Sequence, residues 1–193
     1  MERNELYPIF LKVSHLKVLI VGGGNVGLEK LTFLLKSSPR AQVQMVAPEF
    51  LSDTLELAKK HNVEITKAVY ADHFLKGKHI VIACTNKPKV NEQVYHDCRE
   101  LGKLVNVADN PPFCDFYMGG IVTKGNVKVA ISTNGKSPTT AKRLRQFFED
   151  VLPDNIDDLV NNLNKYRKTL KGDFEQKVEA LNEFTKGLVN NKD

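Results

Sequence analysis

A chain of 193 residues with 41% apolar content can bury one sizeable core and an appendage, but it is short for two complete domains. No run approaches the ~20 apolar residues of a membrane span, and no basic segment followed by an apolar one opens the chain, so a soluble, cytoplasmic protein is expected, with no membrane partner. The formal charge of +5 calls for an anionic partner, yet the basic residues form no dense run with interleaved aromatics, so an anionic small molecule fits at least as well as a nucleic acid.

The apolar stretch at residues 7–13 suits an edge strand or a lead-in segment. The first strong signal is residues 17–27, KVLIVGGGNVG, in which a buried parallel strand runs into Gly22, Gly24 and Gly27 at the G-x-G-x-x-G spacing. Gly22 permits a tight reversal, Gly24 withholds the Cβ that would block a pyrophosphate, and Gly27 lets the next helix pack close to the strand. That helix, residues 25–36, carries Val26, Leu28, Leu31, Leu34 and Leu35 on one face. Its first N–H groups and its dipole would face the phosphates. A glycine-rich turn alone is weak, but the strand before it, the helix after it and a second apolar run at 43–46 favour dinucleotide binding over a plain turn.

Ser37, Ser38 and Pro39 end the helix, and a second strand follows at 42–47. An NAD fingerprint places an acidic residue at the tip of this strand to bind the ribose hydroxyls. Here Val46, Ala47 and Pro48 occupy the tip and Glu49 comes just after. Glu49 either binds ribose or opens the next helix, at 49–60, for which Pro48 is suited. No Arg or Lys stands beside it to receive a 2′-phosphate, so NAD is preferred to NADP.

A third strand is expected at 63–68 and a fourth at 79–84, HIVIAC, ending in Thr85, Asn86, Lys87 and Pro88 before a helix at 89–101. Carboxyl ends of strands face the ligand in a doubly wound sheet, which puts Thr85 and Asn86 at the cofactor; a plain turn is the alternative. A fifth strand, at 103–108, closes the alternating series and ends in Asp109, Asn110, Pro111 and Pro112. Asp109 is either an acid or base beside the cleft or a turn former, and composition leaves the two equal.

The pattern then changes. Residues 116–123 and 126–133 read as a hairpin around Lys124 and Gly125, with Val127, Val129 and Ile131 on one apolar face suited to a second copy of the chain. The polar loop from Ser132 to Pro138 feeds a helix at 139–151, with Ser137 as its cap. Lys136, Lys142, Arg143 and Arg145 make either a solvated helix face or an anion site. From Asp154 onward, Ile156, Leu159, Val160, Leu163, Tyr166 and Leu170, then Phe174, Val178, Leu181, Phe184 and Leu188, describe two helices interrupted at Gly172. The three cysteines have no metal-site or disulfide spacing, the five histidines are scattered, and no metal site is expected.

In the order GGGNVG, MVAPE, ACTN, NVADNPP and VAISTNGKSPTTAKRLR, the chain resembles the precorrin-2 dehydrogenase and sirohydrochlorin ferrochelatase family, the siroheme-synthase module without its methyltransferase domain. The resemblance covers nearly the whole chain, and the last segment is far more specific than the glycines. It implies an α/β fold in which a Rossmann-type parallel sheet (1–112) precedes a β-hairpin dimerisation region (113–150) and a small C-terminal helical domain (151–193). It also implies NAD-dependent oxidation of precorrin-2 to sirohydrochlorin, ferrous iron insertion in bifunctional members, and a homodimer. Carried over by position, Asn25, Val26, Pro48 and Glu49 would touch NAD and Asp109 would be the essential carboxylate.

The substrates are polycarboxylates, so Lys124, Ser132, Thr133, Lys136, Ser137, Lys142 and Arg143 are candidates to bind them. Thr133 follows Ser132 where some members carry two serines, the second of them phosphorylated; this chain departs from that pattern. Some dehydrogenase-only members lack the carboxylate that Asp109 supplies, so its presence leaves iron insertion open. Asp109 could serve both steps as general base. The competing classes are a non-catalytic NAD-sensing regulator and a tetrapyrrole carrier.

Overall fold

The computed structural model describes residues 4–186, which fall into two compact units. The first comprises residues 4–119 together with Ser132–Pro138. It contains β1 (Lys17–Val21), α1 (Asn25–Ser37), β2 (Gln42–Ala47), α2 (Ser52–Lys60), β3 (Glu64–Lys67), β4 (Ile80–Ala83), α3 (Pro88–Glu100) and β5 (Leu104–Val107). The five strands pair in the order β3-β2-β1-β4-β5, all parallel, which is the Rossmann arrangement expected.

Continuous apolar runs form these strands because both faces of the sheet are covered. In β1, Val18 and Ile20 pack with Leu31, Leu35 and Met45 on the α1 side, while Leu19 and Val21 pack with Val81, Val94 and Cys98 on the α3 side. The strand order reverses between β1 and β4, so the crevice at their carboxyl ends is the switch point where such sheets bind ligands.

Three expectations change in this unit. The segment at 7–12 pairs with no strand and leads into a short 3-10 turn at Val13–His15; Pro8 has no N–H to give a ladder. The helix after β2 begins at Ser52, since Pro48 to Leu51 run as an irregular loop. Short 3-10 turns at Asp72–Leu75 and Pro111–Phe113, which carry no helical period, were not anticipated.

The second unit comprises Gly120–Ile131 and residues 139–186. Its hairpin pairs β6 (Gly120–Lys124) with β7 (Val127–Ile131), and Lys124 faces Val127, so the turn is Gly125-Asn126 and not Lys124-Gly125. Gly125 holds φ at 55°, the left-handed conformation that such tight turns need. The first strand starts at Gly120 and not at residue 116, because the Phe116 carbonyl is used by Asn106 of the first unit's core. Three helices follow: α4 (Pro138–Val151), α5 (Ile156–Thr169) and α6 (Phe174–Thr185). Asp173 opens α6 with a capping box to Gln176. Leu188 of the predicted stripe lies outside the described residues. No described helix is long and apolar enough to cross a membrane.

Candidate cofactor and catalytic site

At the end of β1 the chain turns over Gly22, whose φ of 136° and whose N–H, 3.0 Å from the Val46 carbonyl, fix the reversal. A Cβ on Gly22 would stand 2.7 Å from the Cys84 carbonyl, and one on Gly27 would stand 2.3 Å from the Gly22 carbonyl. These two glycines are therefore required by packing. Gly24 differs: a Cβ there would meet nothing within 4 Å, because its face is open. It is also the N-cap of α1 and supplies no capping side chain, so it leaves the first N–H groups of the helix, beside exposed Asn25 and half-buried Val26, without a cap from its own side chain. An open backbone at a helix start fits a dinucleotide pyrophosphate.

Gly23, which the spacing did not single out, is buried against the loop that carries exposed Pro48 and Glu49. With α2 starting at Ser52, Glu49 is not a helix-opening residue, and that alternative is removed.

At the end of β4, Thr85 is engaged by Asn91, a buried residue of α3. The Thr85 hydroxyl donates to Asn91 Oδ1 at 2.7 Å, the Thr85 N–H donates to the same oxygen at 3.1 Å, and Asn91 Nδ2 returns a bond to the Thr85 carbonyl at 3.0 Å. Thr85 thus shapes the loop through Asn91, and exposed Asn86 stands at its crest. Sequence reading missed Asn91; its place beside Val90 and Val94 on the apolar face of α3 was the available signal.

Asp109 lies just past β5 at the tip of a closed loop, exposed, with φ at 58°. The base of the loop is tied at several points. Asn106 Nδ2 donates to the Phe116 carbonyl at 2.8 Å, Asp115 accepts the Val105 N–H at 3.0 Å and pairs with Arg99 at 2.9 Å, and Phe113 stacks on Tyr95 with ring centres 4.3 Å apart. A carboxylate is thereby held at the carboxyl end of the strand next to β4.

Burial disfavours the thiolate form of all three cysteines. Burial pushes Cys84 and Cys98 up to about 12 and raises Cys114 as well, so all three stay protonated near neutrality. Among the described residues no cluster of three metal-ligating side chains occurs.

The candidate substrate residues divide between the units. In the first, the loop Ser132–Pro138 is closed by Thr133, whose Oγ1 donates to the Ser137 carbonyl at 3.1 Å and accepts the Ser137 N–H at 3.2 Å. The Ser132 hydroxyl accepts the Asn134 N–H at 3.1 Å, and Lys136 is exposed. In the second, Lys142 and Arg143 are exposed on α4, with Arg143 donating to Gln146 at 3.0 Å. Lys124 is committed within its own unit, to the Leu152 carbonyl and, at 2.7 Å, to Asp154.

Residues 9–120 match the family model described as putative NAD(P)-binding, and residues 124–150 match that described as sirohaem biosynthesis protein central. The chain is 36% identical over 167 residues to a siroheme synthase of Pseudoalteromonas translucida, covering 86% of this chain and 35% of the relative. It is 37% identical over 164 residues to a siroheme synthase of Nitrosococcus oceani, covering 85% and 35%. The chain thus spans about a third of the length of these curated relatives. In structure it is similar to SirC, a precorrin-2 dehydrogenase, with a TM-score of 0.74 at 22% identity, covering 97% of this chain and 91% of that one, a likeness of fold.

Proposed function

The chain belongs to the NAD(P)-binding family of siroheme biosynthesis, that of precorrin-2 dehydrogenase and sirohydrochlorin ferrochelatase, and from that premise we propose that it oxidises precorrin-2 to sirohydrochlorin with NAD. The observation that supports this reading is that an open glycine turn at Gly24, past β1, and a carboxylate at Asp109, past β5, lie at the same carboxyl edge of one parallel sheet. Bound NAD would supply a two-electron acceptor at that crevice.

In this reading the start of α1 receives the pyrophosphate and Glu49 accepts the ribose hydroxyls. Asp109 takes the proton that leaves the macrocycle as hydride departs, then returns it to solvent. Lys136 receives substrate carboxylates in the first unit, while Lys124 holds its own corner in the second. Iron insertion is proposed as a second activity in which ferrous iron is substrate and Asp109 accepts pyrrole protons. We further propose a cytoplasmic homodimer paired through residues 113–150, which sedimentation at low concentration would test.

The direct test mixes the protein, NAD and precorrin-2 without oxygen and follows sirohydrochlorin absorbance, with and without ferrous iron. NAD-dependent conversion is expected. Tetrapyrrole binding with no NAD effect would instead indicate a carrier and sink the dehydrogenase reading.

A further inference from the structure

Gly23 lies inside the glycine run but outside the G-x-G-x-x-G positions, and its packing is the tightest of the run. A Cβ there would stand 2.1 Å from the Glu49 carbonyl oxygen, 2.8 Å from the Phe50 ring and 3.0 Å from Ala47 Cβ. Its own carbonyl accepts the Leu51 N–H at 3.1 Å. The loop after β2 is therefore strapped flat onto the turn that faces the pyrophosphate position. This explains why α2 starts late: Leu51, the residue before the helix, has its N–H pointed back at Gly23.

The strap resolves a mismatch. An NAD fingerprint expects its acidic residue at the tip of the second strand, whereas this chain has Ala47 there and Glu49 two residues later. A loop leaving freely after Pro48 would carry Glu49 away from the ribose. With the Glu49 backbone pressed on Gly23, residue 49 is instead held beside the glycine turn.

We infer that Gly23 is a specificity-determining position: by admitting the Glu49 backbone it sets the Glu49 carboxylate where it accepts the ribose hydroxyls of NAD and repels the 2′-phosphate of NADP. The inference rests on the ribose role proposed for Glu49 above. Gly23 is a positioning residue, acting through Glu49.

The test titrates NADH and NADPH into the full chain by fluorescence, for the parent, Glu49→Gln, Gly23→Ala, Leu51→Pro and the double variant Gly23→Ala/Glu49→Gln. Leu51 already has φ of −63°, so proline fits the backbone there and deletes only the strap's donor; this variant decides the matter if Gly23→Ala fails to fold. Glu49→Gln should narrow the preference for NADH roughly tenfold or more. Gly23→Ala and Leu51→Pro should narrow it likewise, and Glu49→Gln should add little on top of Gly23→Ala. A merely structural defect would lower both affinities together and leave their ratio unchanged, which overturns the inference when Glu49→Gln does move the ratio. An unmoved ratio in Glu49→Gln would instead overturn the ribose role of Glu49 itself, and the inference with it.

Discussion

Asn106 and Cys114 meet across the base of the Asp109 loop: Asn106 Nδ2 lies 3.4 Å from Cys114 Sγ while the thiol donates to the Val107 carbonyl at 3.2 Å. The same amide donates to the Phe116 carbonyl, so one buried side chain closes ten residues of chain on themselves. Replacing Asn106 by Leu should strand the Phe116 carbonyl and cost about 1–3 kcal/mol of stability. Urea denaturation measures this, and a midpoint equal to the parent's would show that the amide does not hold the loop.

Asp109 needs its charge and its backbone conformation tested apart, because a φ of 58° is strained for alanine but tolerated by asparagine. Asp109→Asn is expected to keep NAD binding and the parent melting temperature while losing turnover. Asp109→Ala should lose turnover and in addition about 1 kcal/mol of stability. Full turnover in Asp109→Asn would remove the carboxylate from the mechanism.

The second unit should weaken in acid. Lys124 holds the Asp154 carboxyl below the ordinary aspartate range, and the Asn126 N–H and amide, at 2.6 and 2.7 Å, do the same for Asp157. A carboxyl lowered in the folded state contributes stability that is present above its unfolded value, ~4, and is lost as pH falls through the folded value. Asp157→Asn should lose stability at neutral pH and show less further loss on acidification. Thermal melts between neutrality and the acid limb measure both, and parallel curves for variant and parent would refute the assignment.

The thiols should resist alkylation in the native protein. With Cys84 and Cys98 pushed up to about 12 by burial, their thiolates are scarce at neutral and mildly alkaline pH. The sign of the linkage is opposite to that of the aspartates: a raised value contributes stability below the unfolded value, ~8.5, that is lost as pH rises toward the folded one. Counting modified cysteines with and without denaturant checks this, and rapid native modification of both residues would contradict it.

The strands and helices of the first unit were legible because each is specified locally. A parallel strand covered on both faces is apolar at every position, as in residues 18–21 and 80–83, and a helix on such a sheet is apolar at helical spacing, as in α1. The glycine spacing announced the turn for the same reason: a tight reversal and a close helix are demands that only glycine meets. The family resemblance nominated Asn25, Pro48, Glu49 and Asp109 through short motifs.

Other features depend on residues distant in the chain, and no local pattern encodes them. Glu49 follows a proline that suits a helix start, and only the approach of Gly23, 26 residues earlier, turns that stretch into a strap. Lys124 reads as a substrate lysine until the corner at Leu152 and Asp154 takes it, and the hairpin turn moves to Gly125-Asn126 because Asp157 of α5 grips its backbone. By itself the sequence determined which segments would be strand, helix and glycine turn, since burial and backbone sterics act over a few residues. Only the tertiary structure decided which polar groups are spent on holding loops, because that depends on which partners folding brings within hydrogen-bond reach.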